Sequence, residues 1–282
     1  MSSTPQTRDE RALVLAAVNG FHEYFSSPPP FTKGAQFALP HAMIVVPMGD
    51  LSIETFSDMY ERVSPLLAKK YEAGNTGFRH WLTEPAAEIW VSGNIAAVLV
   101  GWTATLDGHS QLLHTVNVCT LHRLSHGDSV GQNPWRISGL VDMAHLPPDV
   151  PIPAVETSVP DVVTVFETLL ASIDANDWES VTHLLLPGSG ATISKETGVP
   201  ETLLWPEFIE RLRAEAESRP VTRKKVLNCD ARRCNDLAFI WAPFALIAGA
   251  VECAQGVNVC SFRLENGQWL ISGLQETIIS KN

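Results

Sequence analysis

Eight of the nine histidines precede residue 150 and only His183 follows it, so imidazole chemistry belongs to the first half of the chain. Histidine gives and takes protons near neutrality, and general acid/base catalysis needs such a group within hydrogen-bond reach of the proton it moves. His114 opens an alternating stretch, "HTVNVCTLHRL" (114–124), in which Asn117, Cys119 and Leu121 share one face and Val116, Val118 and Thr120 the other. That parity sets His114 opposite Asn117 unless a bulge intervenes. Asn117 offers an amide hydrogen to a substrate carbonyl. The same residue type recurs as Asn258 in "GVNVCSFRL" (256–264), which suits a shared structural duty equally well. Asp142 and Glu276 end the matching strings "WRISGLVD" and "WLISGLQE". A carboxylate there, near His80 or His114, would orient an imidazole or act as the base itself.

Other strings promise chemistry that their context denies. "GDSVG" (127–131) has the spacing of a nucleophile elbow, but such an elbow joins a strand to a helix and here a further strand follows. His122 and His126 stand four apart across a strand end and its loop, which does not make a zinc face. Cys229 and Cys234 fall in "NCDARRCND", read as a turn, with no second cluster to complete a metal site. "RKK" (223–225) reads as a solvated strand edge, where lysine discourages edge pairing. No glycine-rich phosphate-binding string occurs.

The elements that must position these residues are written twice. The paired strings above are preceded in each half by a long apolar run, "NIAAVLVGWTATLDG" (94–108) and "NDLAFIWAPFALIAG" (235–249). Earlier still, "MYERV" (59–63) parallels "FIERL" (208–212), each inside a pattern of helical spacing. Each half opens with a further helix, through Leu13, Ala17, Phe21 and Tyr24 in one and Val162, Phe166 and Leu169 in the other. Pro147, Pro148, Pro151, Pro153 and Pro160 mark a linker, so the expected domains are 1–146 and 160–282 with 147–159 between them. Helix, irregular stretch, helix and then strands gives an α+β class, with helices gathered on one face of an antiparallel sheet. Both faces of the repeated strand are apolar, so the uncovered face of one copy is expected to pack on the other as an intramolecular pseudo-dimer.

With 45% hydrophobic residues in 282, the chain has apolar area for two modest cores. A net charge of −11 opposes binding to nucleic acid. No uninterrupted apolar run is long enough to span a bilayer, and the N-terminal apolar run shows no cleavage pattern. Five cysteines without CxxC pairs, Cys119 and Cys260 among them in strand patterns, fit buried thiols in a reducing compartment. A soluble, cytoplasmic protein without membrane or nucleic-acid partners is expected.

"LLASIDANDWESVTHLLLPG" (169–188) with the terminal "GQWLISGL", and "FRHWLTEPAAEIWVSGNIAAVLVGW" (78–102) in the first half, resemble the nuclear transport factor 2-like superfamily. That group includes SnoaL-like polyketide cyclases, ketosteroid isomerase, scytalone dehydratase and limonene epoxide hydrolase. The resemblance implies cone-shaped domains, each a curved sheet around helices with an apolar pocket at the open end. It implies chemistry without a cofactor, by a buried acid or base and a donor to an oxyanion. His80 matches the strand that presents a pocket histidine in the family, and Asp142 the place of a pocket carboxylate. His80 and Asp142 are therefore the expected acid/base pair, with His114 and Asn117 as polar helpers. Tyr24, Trp81 and Trp102 would line the pocket, and Asp50 would sit at its mouth. Asn258 and Glu276 are the counterparts in a second, degenerate copy.

The function so implied is isomerisation, cyclisation or dehydration of a hydrophobic polyketide or terpenoid intermediate. Epoxide hydrolysis is one alternative, needing two carboxylates bridged by an arginine around a water. A non-catalytic binding or scaffold role is another. The implied partner is a small hydrophobic substrate, and the reading leaves further homo-oligomerisation open.

Overall fold

The computed structural model describes residues 5–26, 36–48, 50–72, 79–105, 111–124, 133–195, 199–218 and 222–280. In the first half, helix α1 (Pro5–Phe25) is followed by strands β1 (Ala38–Met48) and β2 (Asp50–Thr55), helix α2 (Phe56–Glu72), and strands β3 (Arg79–Ser92), β4 (Ile95–Thr105), β5 (Gln111–Arg123) and β6 (Trp135–Asp142). The second half holds helices α3 (Pro160–Asp174) and α4 (Trp178–His183), strands β7 (Gly190–Lys195) and β8 (Glu201–Leu204), and helix α5 (Trp205–Ser218). Strands β9 (Thr222–Val226), β10 (Asp230–Cys234), β11 (Leu237–Ala248), β12 (Val251–Glu265) and β13 (Gln268–Ser280) complete it. The chain divides into two compact units, Met1–Ala154 and Val155–Asn282.

Each unit has one sheet and the two sheets share a plan. The order is β2-β1-β6-β5-β4-β3 in unit 1 and β10-β11-β12-β13-β7-β8 in unit 2, where β9 also pairs with β11. The class is α+β, with sheets that are mixed rather than wholly antiparallel. One pair in each is parallel, β1 beside β6 and β7 beside β13. That pair arises because the stretch between the two helices, expected to be irregular, carries a hairpin in both units, β1–β2 and β7–β8. β1 reads "ALPHAMIVVPM", and after His41 it is a continuous apolar run with β-branched residues at its centre, as suits a strand flanked on both sides. Such a run has no period to announce it. Pro40 falls where the β1–β6 register breaks, between Ala38 and Met43, as expected for a residue that cannot donate to the ladder.

The inner face of each sheet carries the predicted parity. Val14, Val18 and Phe21 of α1 pack with Ala96, Val98 and Val100 of β4 and with Cys119 and Leu121 of β5. In unit 2, Val162, Phe166 and Leu169 of α3 meet Ile240, Ala242, Cys260 and Phe262. Gly101 is required by a close approach: a Cβ there would lie 1.9 Å from the Glu84 carbonyl oxygen, where β3 bulges between Thr83 and Glu88.

The proline-rich segment is pinned from both sides. Leu146 pairs with His114 through two backbone hydrogen bonds, and His114 Nε2 meets the Val150 carbonyl at 2.5 Å. Beyond the division, Glu156 and Arg233 exchange backbone hydrogen bonds. No helix among the described residues is long and apolar enough to cross a membrane.

One device ties the first helix to the sheet in both units. The Trp135 indole N–H donates to Glu10 at 2.9 Å, and the Trp269 indole N–H donates to Asp161 at 2.9 Å. An arginine shares each carboxylate: Arg123 with Glu10 at 3.3 Å and Arg233 with Asp161 at 2.9 Å. Trp135 is fully buried, so removing its N–H takes away one of Glu10's two donors and leaves Arg123 as the other. A hydrogen bond to a charged group contributes about 1.5–3 kcal/mol. Trp135→Phe should lower the unfolding free energy of unit 1 by about 2 kcal/mol, read by urea denaturation. An unchanged midpoint would show that the contact is not stabilising.

Candidate functional site

Asp142 ends β6 on its inner face, opposite Asn117 of β5 in the ladder, and is 3% exposed. A carboxylate so deeply buried requires donors. His145 supplies one, its Nε2 lying 3.3 Å from Asp142 Oδ2. The Trp102 indole N–H supplies another at 3.5 Å from Oδ1, at the long end of hydrogen bonding. Trp102 reaches it from β4, with its ring edge-on to His145 at 5.5 Å between centroids.

Trp102 also joins the carboxylate to a second polar group. The His80 ring packs edge-to-face against it at 4.0 Å, and His80 Nδ1 lies 3.2 Å from His22 Nδ1. His22 Nε2 in turn lies 3.3 Å from the Asn117 side-chain nitrogen. The Cys119 thiol donates to the Asn117 oxygen at 3.7 Å, which agrees with that orientation of the amide. These contacts assign tautomers. Asn117 Nδ2 can only donate, so His22 Nε2 accepts and His22 carries its proton on Nδ1. His22 then donates to His80 Nδ1, and neutral His80 holds its proton on Nε2. The backbone of His80 is fixed by Ser26, whose hydroxyl accepts from His80 N–H at 2.7 Å and lies 3.2 Å from the His80 carbonyl.

Burial governs the titration of this group. It drives the His22 pKa down to about 3. His80 is held well below the ordinary imidazole value, first by burial and then by the neighbouring His22. The Cys119 thiol is pushed up, by burial and by nearby Asp142, and stays protonated rather than nucleophilic. Among the described residues, no three His, Cys, Asp or Glu side chains are placed to hold a metal ion.

Of the residues singled out from the sequence, His80, Asn117, Asp142 and Trp102 converge here. His80 and Asp142 are linked through Trp102 rather than by direct contact. His114 does not join them; it is occupied at the proline-rich tail with the Val150 carbonyl. Trp81 alternates with His80 and is 40% exposed on the other face. Asp50 is exposed on β2, the opposite edge of the sheet from β3. Tyr24 falls within α1, and its side chain lies outside the described residues, as do "GDSVG" and His126. In unit 2, Asn258 and Glu276 again face each other in the ladder. "RKK" corrects an expectation: it forms edge strand β9, but Lys224 turns inward and pairs with Glu276 at 2.5 Å. "DARRC" is strand β10 rather than a turn, with the turn at Asn235. A groove of about 630 Å³ bordered by Arg223, Lys225, Ile247 and Gly249 contains none of the unit 1 cluster.

Two residues of the cluster escaped the sequence reading. His22 lies on the buried stripe of α1 with Val14, Val18 and Phe21, and that helical spacing was available as a signal. His145 follows the last strand in a segment with no period, so only the three-dimensional path of the chain brings it to Asp142.

The chain matches no family model and no curated protein. Among solved structures it is similar to a cystatin-like fold protein of unknown function from Nostoc punctiforme, at 13% identity over 42% of this chain and 89% of that one, with a TM-score of 0.37. It is also similar to a nuclear transport factor 2-like protein of unknown function from Pseudomonas putida, at 10% identity over 43% and 89% with a TM-score of 0.38. A candidate dehydratase of the same fold group from Streptomyces avermitilis matches at 11% identity over 42% and 94%, with a TM-score of 0.37.

The buried imidazoles make acid sensitivity specific. Both are neutral in the folded unit, while in the unfolded chain they take up protons below about pH 6.5. The unfolded state then binds more protons, so stability falls as pH drops from about 6.5 toward 3, by up to about 1.4 kcal/mol per pH unit for each histidine. His22→Gln should flatten that slope for unit 1 relative to wild type in denaturation series at stepped pH. Parallel slopes for the two proteins would refute it.

Proposed function

We propose that unit 1 is a cofactor-independent acid/base catalyst that isomerises, cyclises or dehydrates a hydrophobic polyketide or terpenoid intermediate. The observation that carries the reading is the contact between Asp142 and His145 beside the neutral imidazole of His80. Asp142 orients His145 and stabilises the imidazolium formed when His145 removes a proton from the carbon next to a substrate carbonyl. The bonding pair moves to the carbonyl oxygen, and His80 donates its Nε2 hydrogen to that oxyanion without giving up the proton. A neutral imidazole suits that task, because burial keeps His80 from protonating and its N–H can polarise the carbonyl without transferring a proton. The imidazolium then returns its proton to another carbon, which completes an isomerisation, or to a departing hydroxyl, which completes a dehydration.

Epoxide hydrolysis finds less support. The arginine of "CDARRCND" that bridges two carboxylates is Arg233, between Glu156 and Asp161. Both carboxylates are about half exposed and serve to hold the start of α3 against β10. Non-catalytic binding is favoured by one feature: His22 hydrogen-bonds both His80 and Asn117 and so ties these three side chains together.

Comparative mass spectrometry of metabolites from cells with and without the gene tests the reading, with complementation by wild type, Asp142→Asn and His145→Gln. An accumulating precursor isobaric with the lost product indicates isomerisation or cyclisation, and one heavier by a water indicates dehydration. Each variant should retain less than about a hundredth of wild-type conversion, as expected for loss of an acid/base group. Full complementation by both variants would remove the catalytic reading, and an unchanged metabolite profile on gene loss would favour binding.

A further inference from the structure

The ladders superpose the sites of the two units residue by residue. Asn117 faces Val100 and Asp142 in unit 1, and Asn258 faces Ala242 and Glu276 in unit 2. Two residues beyond Val100 and Ala242 stand Trp102 and Phe244. Two further on, Ala104 faces His80 and Leu246 faces Lys224. Lys224 therefore occupies the station of His80, Phe244 that of Trp102 and Glu276 that of Asp142.

The chemistry at these stations differs. The Lys224 ammonium bonds Glu276 at 2.5 Å, lies 3.4 Å from the Asn258 oxygen, and sits over the Phe244 ring at 4.4 Å from its centroid. Lys224 is a flexible side chain on an edge strand and keeps 22% of its side-chain surface exposed. Asn258 is 1% exposed, and its Nδ2 meets no acceptor among the described residues. A buried amide donor without an acceptor is costly and rare in folded proteins.

We propose that unit 2 retains a ligand site of its own, and that its ligand is a neutral, largely apolar molecule bearing a carbonyl oxygen. The oxygen accepts from Asn258 Nδ2 and from a Lys224 proton as the lysine side chain moves aside to admit it. Charge decides between ligand classes. Glu276 already balances Lys224, so a carboxylate or an ammonium would enter with no counter-charge in a poorly solvated place. Phe244, with its ladder partner Val226 and with Ile193, which faces Glu276, supplies apolar contact for the remainder of the molecule. This inference is independent of whether unit 1 turns over a substrate.

The test is titration of the ¹⁵N-labelled full chain with cyclohexanone, 1-tetralone and 9-fluorenone, against cyclohexane, tetralin and fluorene as matched hydrocarbons. The Asn258 side-chain amide signals, identified by their loss in Asn258→Leu, should shift saturably with at least one ketone. Its matched hydrocarbon should bind at least tenfold more weakly, and Asn258→Leu should lose the same factor for the ketone alone. The wild-type spectra decide the matter if that variant misfolds. The proposal falls if none of the three ketones moves the Asn258 amide, if hydrocarbon and ketone bind alike, or if only the Asn117 amide responds.

Discussion

A carboxylate taken out of water at the end of a central strand must be met by donors brought from elsewhere in the fold, and in unit 1 that demand organises the site. Asp142 ends β6 with its side chain facing inward. The chain answers it with Trp102 from β4 and His145 from the segment after β6. Trp102 turns its N–H toward Asp142 and its ring toward His80, whose Nδ1 is met by His22 of α1. The helix, two inner strands and an edge strand are thereby committed to one another through polar contacts as well as through the apolar core. Such a network specifies a unique arrangement only when its members are satisfied.

Unit 2 meets the same demand differently. Glu276 stands at the corresponding station, but its donor is a lysine from the edge strand, held over a phenylalanine ring instead of beside an indole. An ion pair of this kind is tolerable where the lysine stem can lie along apolar surface and its head stay near water. The sheets are alike because backbone pairing and inner-face packing are alike. The sites diverge because a few inward side chains can be exchanged without disturbing either.

Much of the fold was legible. Alternation in "HTVNVCTLHRL" and "GVNVCSFRL" sorted their residues onto two faces, and the doubled order of elements set two α+β units. The hairpins β1–β2 and β7–β8 were not legible, because the strand next to the last one is flanked on both sides and carries no period. The inward turn of Lys224 was hidden for a related reason. A run of three basic residues looks solvated throughout, yet a strand sends alternate residues to opposite faces, and burial of the middle one depends on a carboxylate 52 positions away.

The sequence by itself determined the doubling, the class of fold and the shared face of Asn117, Cys119 and Leu121, because these follow from local periodicity and from strings repeated in order; the inward position of Asp142 comes from its pairing with Asn117 in the ladder. Only the tertiary structure decided which histidines meet. His22 and His80 are 58 positions apart and come into contact because α1 lies across the edge of the sheet. His114, the histidine nearest Asn117 in sequence, is turned away by strand parity. His145 gains its partner only from the course of the chain beyond β6. Proton chemistry depends on distances of a few ångströms, and those are set by how elements pack, which a one-dimensional pattern does not contain.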